Sequence, residues 1–416
     1  MAVDDLLARF FRPLAAATHL VDNALWPGSP GLMHAHSIAW FAAMVAAASR
    51  MYRRLLSSRT GLLAALIYTA SYVHATPVGW ISNRNAVLAG LFGFLAIASY
   101  VSWRQPDSRS FSWAPVFLVL SLLSAELGIS VLGFVVAFEA TAGRSNPAGR
   151  GRKVLLLVGI VVVWRGAYSA AGFGAFGSGG YIDPIRSPVV FLQEAPTRLL
   201  WLGAFLLTPL RILLAEWAPR WATVLASALF LASAMLALRA AARSENRVWA
   251  LSTLLCLLPL VASLPGERLL TFAYAAFSPI VATAILDRPR NRSVRGAATV
   301  ALTATFLIVS PAVLLLGSYN QAYDFKPTAK QPTMSGISSE EIRGRNLFIL
   351  YSPGQTQVDS MKAARPRAGL AMPAFIWNLF PTEEPPEVLR DGCCKLRMSK
   401  PEGLSRGPFV AYFRGP

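Results

Sequence analysis

Charge is scarce in this chain. Only 14% of its 416 residues are Asp, Glu, Lys or Arg, against roughly 25% in an ordinary soluble domain, while 54% are hydrophobic and mean hydropathy is +0.47. A soluble globular enzyme and a disordered chain are both excluded. Acids are scarcer still, 21 against 39 basic residues, for a net charge of +18. In a soluble protein that excess would point to nucleic acid. Here most of it lies in short loops between apolar runs, where Lys and Arg set topology, so no nucleic-acid partner is expected. The three cysteines, Cys256 within an apolar run and the adjacent Cys393 and Cys394, give neither a disulfide framework nor metal-ligand spacing. The sequence holds no Walker loop, no Gly-x-Gly-x-x-Gly on a strand, no His-Glu-x-x-His and no Cys-x-x-Cys, so soluble nucleotide chemistry and zinc hydrolysis lack a motif. No cofactor is expected, and a divalent metal is left open. Asp4, Asp5 and Pro13 make the start unlike a signal peptide.

What the chain has in abundance is apolar runs long enough for a ~30 Å hydrocarbon core. They lie near 32–49, 60–77, 85–102, 154–171, 221–241, 248–264, 268–286 and 297–317. Residues 113–141 carry Ser124, Ala125 and Glu126 at their middle, and charge parity decides how they cross. The loops 50–59 (Arg50, Arg53, Arg54, Arg59) and 143–153 (Arg144, Arg150, Arg152, Lys153) hold four basic residues each and no acid, so both are expected in the cytoplasm. The intervening segment must then leave and return, as a helical hairpin with Glu126 at its outer tip. Residues 198–217, interrupted by Arg198, Pro209, Arg211 and Glu216, read as a re-entrant or interfacial helix, because a full crossing would export seven arginines between 239 and 295.

The expected class is thus an all-α polytopic membrane protein of about ten spans plus one re-entrant or interfacial helix, with a small C-terminal α/β extramembrane segment. Its parts are an outer, periplasmic loop at 1–31, a transmembrane domain at 32–317 whose outer loop 172–197 is rich in Gly and Pro, and a periplasmic tail at 318–416. Arginine supplies 33 of the 39 basic residues, as a GC-rich bacterial genome would encode, and the expected location is a bacterial inner membrane.

Charges at membrane depth are costly and mark candidate sites, although a lone Arg at a span end is most often a headgroup anchor. His74, Arg84, Glu126 and Arg268 all fall at outer ends, where they could surround a phosphate-bearing lipid headgroup. Glu126 stands out, since an acid between two short apolar helices needs a cation or a substrate group; its plainer explanation is a structural pair with a nearby Arg. His34 and His36 are two residues apart, on different helix faces, and are unsuited to a shared metal site. Asp4 and Asp5 could form a catalytic acid pair, but adjacent acids near a terminus are most often simply solvated.

These motifs resemble a known group. Phe11-Arg12-Pro13-Leu14, then Leu25-Trp26, a span entered through His34, His74 with Trp80-Ile81-Ser82 and Arg84, and finally Leu122-Leu123-Ser124-Ala125-Glu126 look like the GT-C glycosyltransferases. The nearest branch is that of the transmembrane O-mannosyltransferases, with its many bacterial members. The resemblance implies an enzyme that moves a sugar from a polyprenyl-phosphate donor to an acceptor at a periplasmic or lumenal site. It further implies that an acid acts as base and that basic groups hold the departing phosphate. Matched by position, it casts Glu126, with Asp4 and Asp5, as catalytic candidates, and Arg12, His74, Arg84 and Arg268 as substrate-binding ones. The pattern also departs from the family. Thr76 stands where an acid is usual, Asn85 and Ala86 where Lys and Asp are frequent, and Ala125 where Lys is found. The family's first span and acidic outer loop have no counterpart ahead of Arg12, so either Met1 is not the natural start or both are missing. Two other readings follow from these departures and from the many spans: an inactive accessory subunit, and a lipid or sugar transporter, for which no internal repeat is found.

Overall fold

The computed structural model describes residues 7–105, 112–145, 150–176, 181–208, 219–287, 294–324, 339–343, 345–349, 370–371, 375–378, 387–390, 395–399 and 409–412. The chain divides into two compact units, Asp4–Gln321 and a second comprising Met1–Val3 with Ala322–Pro416.

The larger unit is helical. Strand β1 (Leu7–Arg9) leads into α1 (Pro13–Leu25), followed by α2 (Pro30–Leu55), α3 (Ser58–Thr69), the short α4 (Ala75–Gly79) and α5 (Arg84–Trp103). Next come α6 (Ala114–Ser124), α7 (Ser130–Ala140), α8 (Arg150–Ala170), β2 (Gly174–Phe176) and α9 (Pro188–Ala204). The unit ends with α10 (Pro219–Ala241), α11 (Arg247–Leu257), α12 (Thr271–Leu286), α13 (Val294–Ala304) and α14 (Ser310–Asp324), the last two joined by a π turn at Thr305–Val309. Each of the ten expected crossings falls on helix. Among the described residues, six segments are long and apolar enough to cross a membrane alone: Pro30–Leu55, Ile81–Trp103, Gly151–Ala170, Thr223–Ala241, Ser244–Ala262 and Gly296–Tyr319. The other four, α3, α6, α7 and α12, have 12, 11, 11 and 16 residues. The class is that of a polytopic helical membrane protein. Of the doubtful stretch 198–217, residues up to Ala204 continue α9, and 209–218 lie outside the described residues.

Residues 113–141 form the expected hairpin. Helix α6 runs antiparallel to α5, with Ser112 Oγ 3.4 Å from Ser99 O and Ser121 Oγ 2.8 Å from Ala89 O. The chain turns at Ala125, which is extended, and at a 3₁₀ turn over Glu126–Ile129. Gly128 makes this turn possible: a Cβ there would lie 2.9 Å from the Leu122 backbone nitrogen. Helix α7 then returns, placing Glu139 beside Tyr100 and Arg104 at the far end of α5. It packs on α11 through Gly133, where an added Cβ would come 2.9 Å from the Leu255 carbonyl carbon, the close approach that small residues allow between apolar helices.

The two ends of the bundle differ. At the end opposite Glu126, Arg104 and Glu139 form a buried pair (2.6 Å) and Lys153 donates to Trp103 O. Arg243 pairs there with Asp287, and Arg53 and Arg54 close α2. Basic residues at the end of α2, at the start of α8 and after α10 thus share one end, while Arg288, Arg290 and Arg292 lie outside the described residues. In the smaller unit, α15 (Ser339–Ile342) precedes β3 (Asn346–Ile349), which pairs in parallel with β4 (Phe375–Asn378). Strands β5 (Glu387–Arg390), β6 (Lys395–Ser399) and β7 (Phe409–Tyr412) form an antiparallel meander.

Candidate functional site

At the Glu126 end a cavity of about 660 Å³ opens between the hairpin tip, the last turn of α8, the loop that follows α8 and the turn ahead of α12. Pro13 at the first position of α1 fixes that helix start and leaves Arg12 outside it. The Arg12 guanidinium reaches Glu126 Oε2 with Nε at 3.0 Å and Nη2 at 2.7 Å, and packs 4.3 Å from the Phe10 ring. Its Nη1 lies 3.2 Å from the Asn85 amide oxygen in the rotamer whose NH2 donates to Ser82 and Asn83 carbonyls. The other Glu126 oxygen accepts from the Tyr168 hydroxyl at 3.0 Å. Arg12 and Glu126 keep about 30% and 28% of their side-chain surface exposed, so the pair is part of the cavity wall rather than the core.

A second pair faces the same space. Arg165, one helical turn before Tyr168, binds Asp183 of the outer loop and lies 5.7 Å from the Tyr168 ring. The loop is also fastened by β1–β2 pairing, in the register Leu7–Phe176, Ala8–Ala175 and Arg9–Gly174, and by Ile182 N donating to Ala262 O. Burial alone would push the Asp183 carboxyl up, but the backbone N–H groups of Ile185 and Arg186 and the Arg165 guanidinium bring it below the ordinary 3.8. Such a group stabilises the fastened loop fully above its unfolded value and loses that contribution as pH falls through the depressed one. Protection of the 181–187 amides from hydrogen exchange, corrected for intrinsic rate, should therefore hold down to about pH 4 and fall below it. Asp183→Asn should lower it at neutral pH, and equal protection in that variant would refute a fastening role.

The last charged group on the wall, Arg268, is half-buried and, among the described residues, makes no hydrogen bond or ion pair. The structure thus brings Arg12, Glu126 and Arg268 to one cavity, and leaves His74 and Arg84 off its wall. His74 is buried, packed against Phe41 and Tyr68, and donates from Nε2 to Tyr68 O at 2.8 Å. Arg84 is fully buried: Nη2 meets Asp22 Oδ2 at 2.6 Å and Met33 O at 2.9 Å, and Nε donates to Ser37 Oγ. Asp22 also meets His36 Nδ1 at 2.5 Å, while His36 Nε2 accepts from Trp40, which leaves Nδ1 as the donor to Asp22. Burial opposes the Asp22 charge, yet hydrogen bonds from Arg84 and His36 bring its carboxyl below the ordinary range. Asp4 and Asp5 lie outside the described residues. Sequence reasoning missed Arg165, Tyr168, Asp183 and Asp22. Arg165 alone carried a signal, as a cation inside the apolar run 154–171. No group of three or more His, Cys, Asp or Glu side chains suited to a metal converges among the described residues.

No family model matches the chain. Over 134 residues, 31% of its length, it is 26% identical to the Mus musculus protein O-mannosyl-transferase TMTC3. It spans only 14% of that relative. Among solved structures, it is similar to an Archaeoglobus fulgidus oligosaccharyltransferase tethered to an acceptor peptide, with a TM-score of 0.44 and 11% identity over 87% of this chain and 55% of that one. It is also similar to ArnT from Cupriavidus metallidurans bound to undecaprenyl phosphate, with a TM-score of 0.42 and 12% identity over 88% of this chain and 80% of that one. The likeness to O-mannosyltransferases read from the motifs thus recurs in the match to TMTC3.

Proposed function

We propose that this integral membrane protein is a glycosyltransferase that moves a sugar from a polyprenyl-phosphate donor to an acceptor on the periplasmic face of a bacterial inner membrane. The observation that carries the reading is a cavity at one end of the bundle that is walled both by a carboxylate, Glu126, and by a cation with no described partner, Arg268. In this reading Arg268, helped by Arg12, holds the phosphate. Glu126 accepts the acceptor's hydroxyl proton as the new bond to the sugar's anomeric carbon forms and the bond to phosphate oxygen breaks. The electron pair leaves on the phosphate, where Arg268 balances the developing charge. Asp4 and Asp5, just ahead of β1, are second candidates for the acid.

A second reading, a lipid-binding accessory subunit without activity, is favoured by the hold that Arg12 and Tyr168 already have on Glu126. One assay separates the two. The purified chain in nanodiscs is given polyprenyl-phosphate mannose or glucose with a membrane extract as acceptor source, and polyprenyl phosphate is measured by mass spectrometry. Release that requires both the chain and the extract is the expected result. Donor binding without release would favour the accessory subunit, and neither binding nor release would sink both readings.

A further inference from the structure

Glu126 is held from two sides, and the less conspicuous holder carries an inference of its own. Its Oε2 belongs to Arg12, whereas Oε1 accepts from a phenol 42 residues further along the chain. Tyr168 is 4% exposed, with its ring packed against Trp164 and Phe173 at centroid distances of 5.0 and 5.7 Å. A side chain wedged in this way has one orientation for its hydroxyl, and the carboxylate of a short 3₁₀ turn takes its orientation from that fixed donor. We propose that Tyr168 is a positioning residue for sugar transfer: its hydroxyl fixes the Glu126 carboxylate so that the remaining lone pairs face the acceptor. The inference rests on the proposed role of Glu126.

The charged and titratable groups around this carboxylate come from every neighbouring element. Arg12 precedes α1, Arg165 lies behind the Tyr168 ring on α8, Asp183 is on the outer loop and Arg268 on the turn ahead of α12. Among the described residues, only Arg12 and Tyr168 hydrogen-bond to the Glu126 carboxylate. Removing the phenol oxygen therefore removes one donor and leaves the ion pair and the ring packing in place.

The test is Tyr168→Phe in the release assay. The expected result is a fall in kcat of roughly tenfold to hundredfold, the worth of one hydrogen bond to a charged group, with donor KM unchanged. A purely structural residue would instead lower thermal stability and slow Glu126→Gln by the same factor as it slows the wild type. Glu126→Gln combined with Tyr168→Phe should be no slower than Glu126→Gln alone. Multiplying losses, or a Phe variant with wild-type kcat, would overturn the inference while leaving Glu126 in its role. A Glu126→Gln variant with full activity would instead remove the catalytic assignment on which it rests.

Discussion

Arg268→Ala should slow polyprenyl phosphate release by roughly 10²–10³-fold, the usual cost of deleting a preorganised group aimed at developing charge. The argument is one of charge balance. The cavity wall carries Arg12 with Glu126, Arg165 with Asp183, and Arg268. Each of the first two arginines is already opposed by a carboxylate, so the described groups leave a surplus of one positive charge, on Arg268. A sugar linked through a phosphodiester carries one negative charge, and the phosphate gains charge as the sugar leaves. The loss should thus appear mainly in kcat, because the interaction is strongest when the leaving oxygen is most charged. Arg268→Lys should recover part of the rate, since an ammonium supplies the charge but not the two-pronged donor geometry. Release at the wild-type rate in Arg268→Ala would show that the phosphate sits elsewhere.

The hairpin and its acid were legible because they follow from two local quantities, apolar length and the count of basic residues in adjacent loops. Glu126 at the tip, and Arg12 and Arg268 at the same end, came from that logic together with the family resemblance. What the sequence does not display is which face of a helix a charge is on. His74 and Arg84 do lie near span ends, but the Arg84 side chain turns inward to Asp22 and Met33, and His74 is enclosed by Phe41 and Tyr68. The pairings that complete the site join residues 18, 42 and 114 positions apart, distances over which periodicity carries no information. One general signal was available. Acids are few, and an arginine within an apolar run needs one; the buried Arg84 and Arg104 and the half-buried Arg165 each meet a carboxylate, of Asp22, Glu139 and Asp183.

Arg84→Met should destabilise the protein by about 3–5 kcal/mol, because it leaves the buried Asp22 carboxylate with only two imidazoles beside it, His36 at 2.5 Å and the more distant His19 at 3.9 Å. In detergent this should appear as a fall in Tm of at least about 5 °C. Pairing it with Asp22→Asn removes the stranded charge and should restore part of the loss, whereas additive losses would mean that the ion pair is not what matters. The consequence for the site comes from the neighbouring residue. Arg84 and Asn85 are consecutive at the start of α5: one holds Asp22 near the end of α1, and the other meets Arg12 just before its start. Helix α1 is therefore clamped at both ends by one dipeptide, and the position of Arg12 over Glu126 depends on a residue that never reaches the cavity. The double variant, folded but with α1 released at its far end, should bind donor more weakly through Arg12 while the contribution of Arg268 persists. A raised donor KM that Arg12→Ala does not raise further is the signature expected of that coupling, and a KM equal to wild type would confine Arg84 to stability alone.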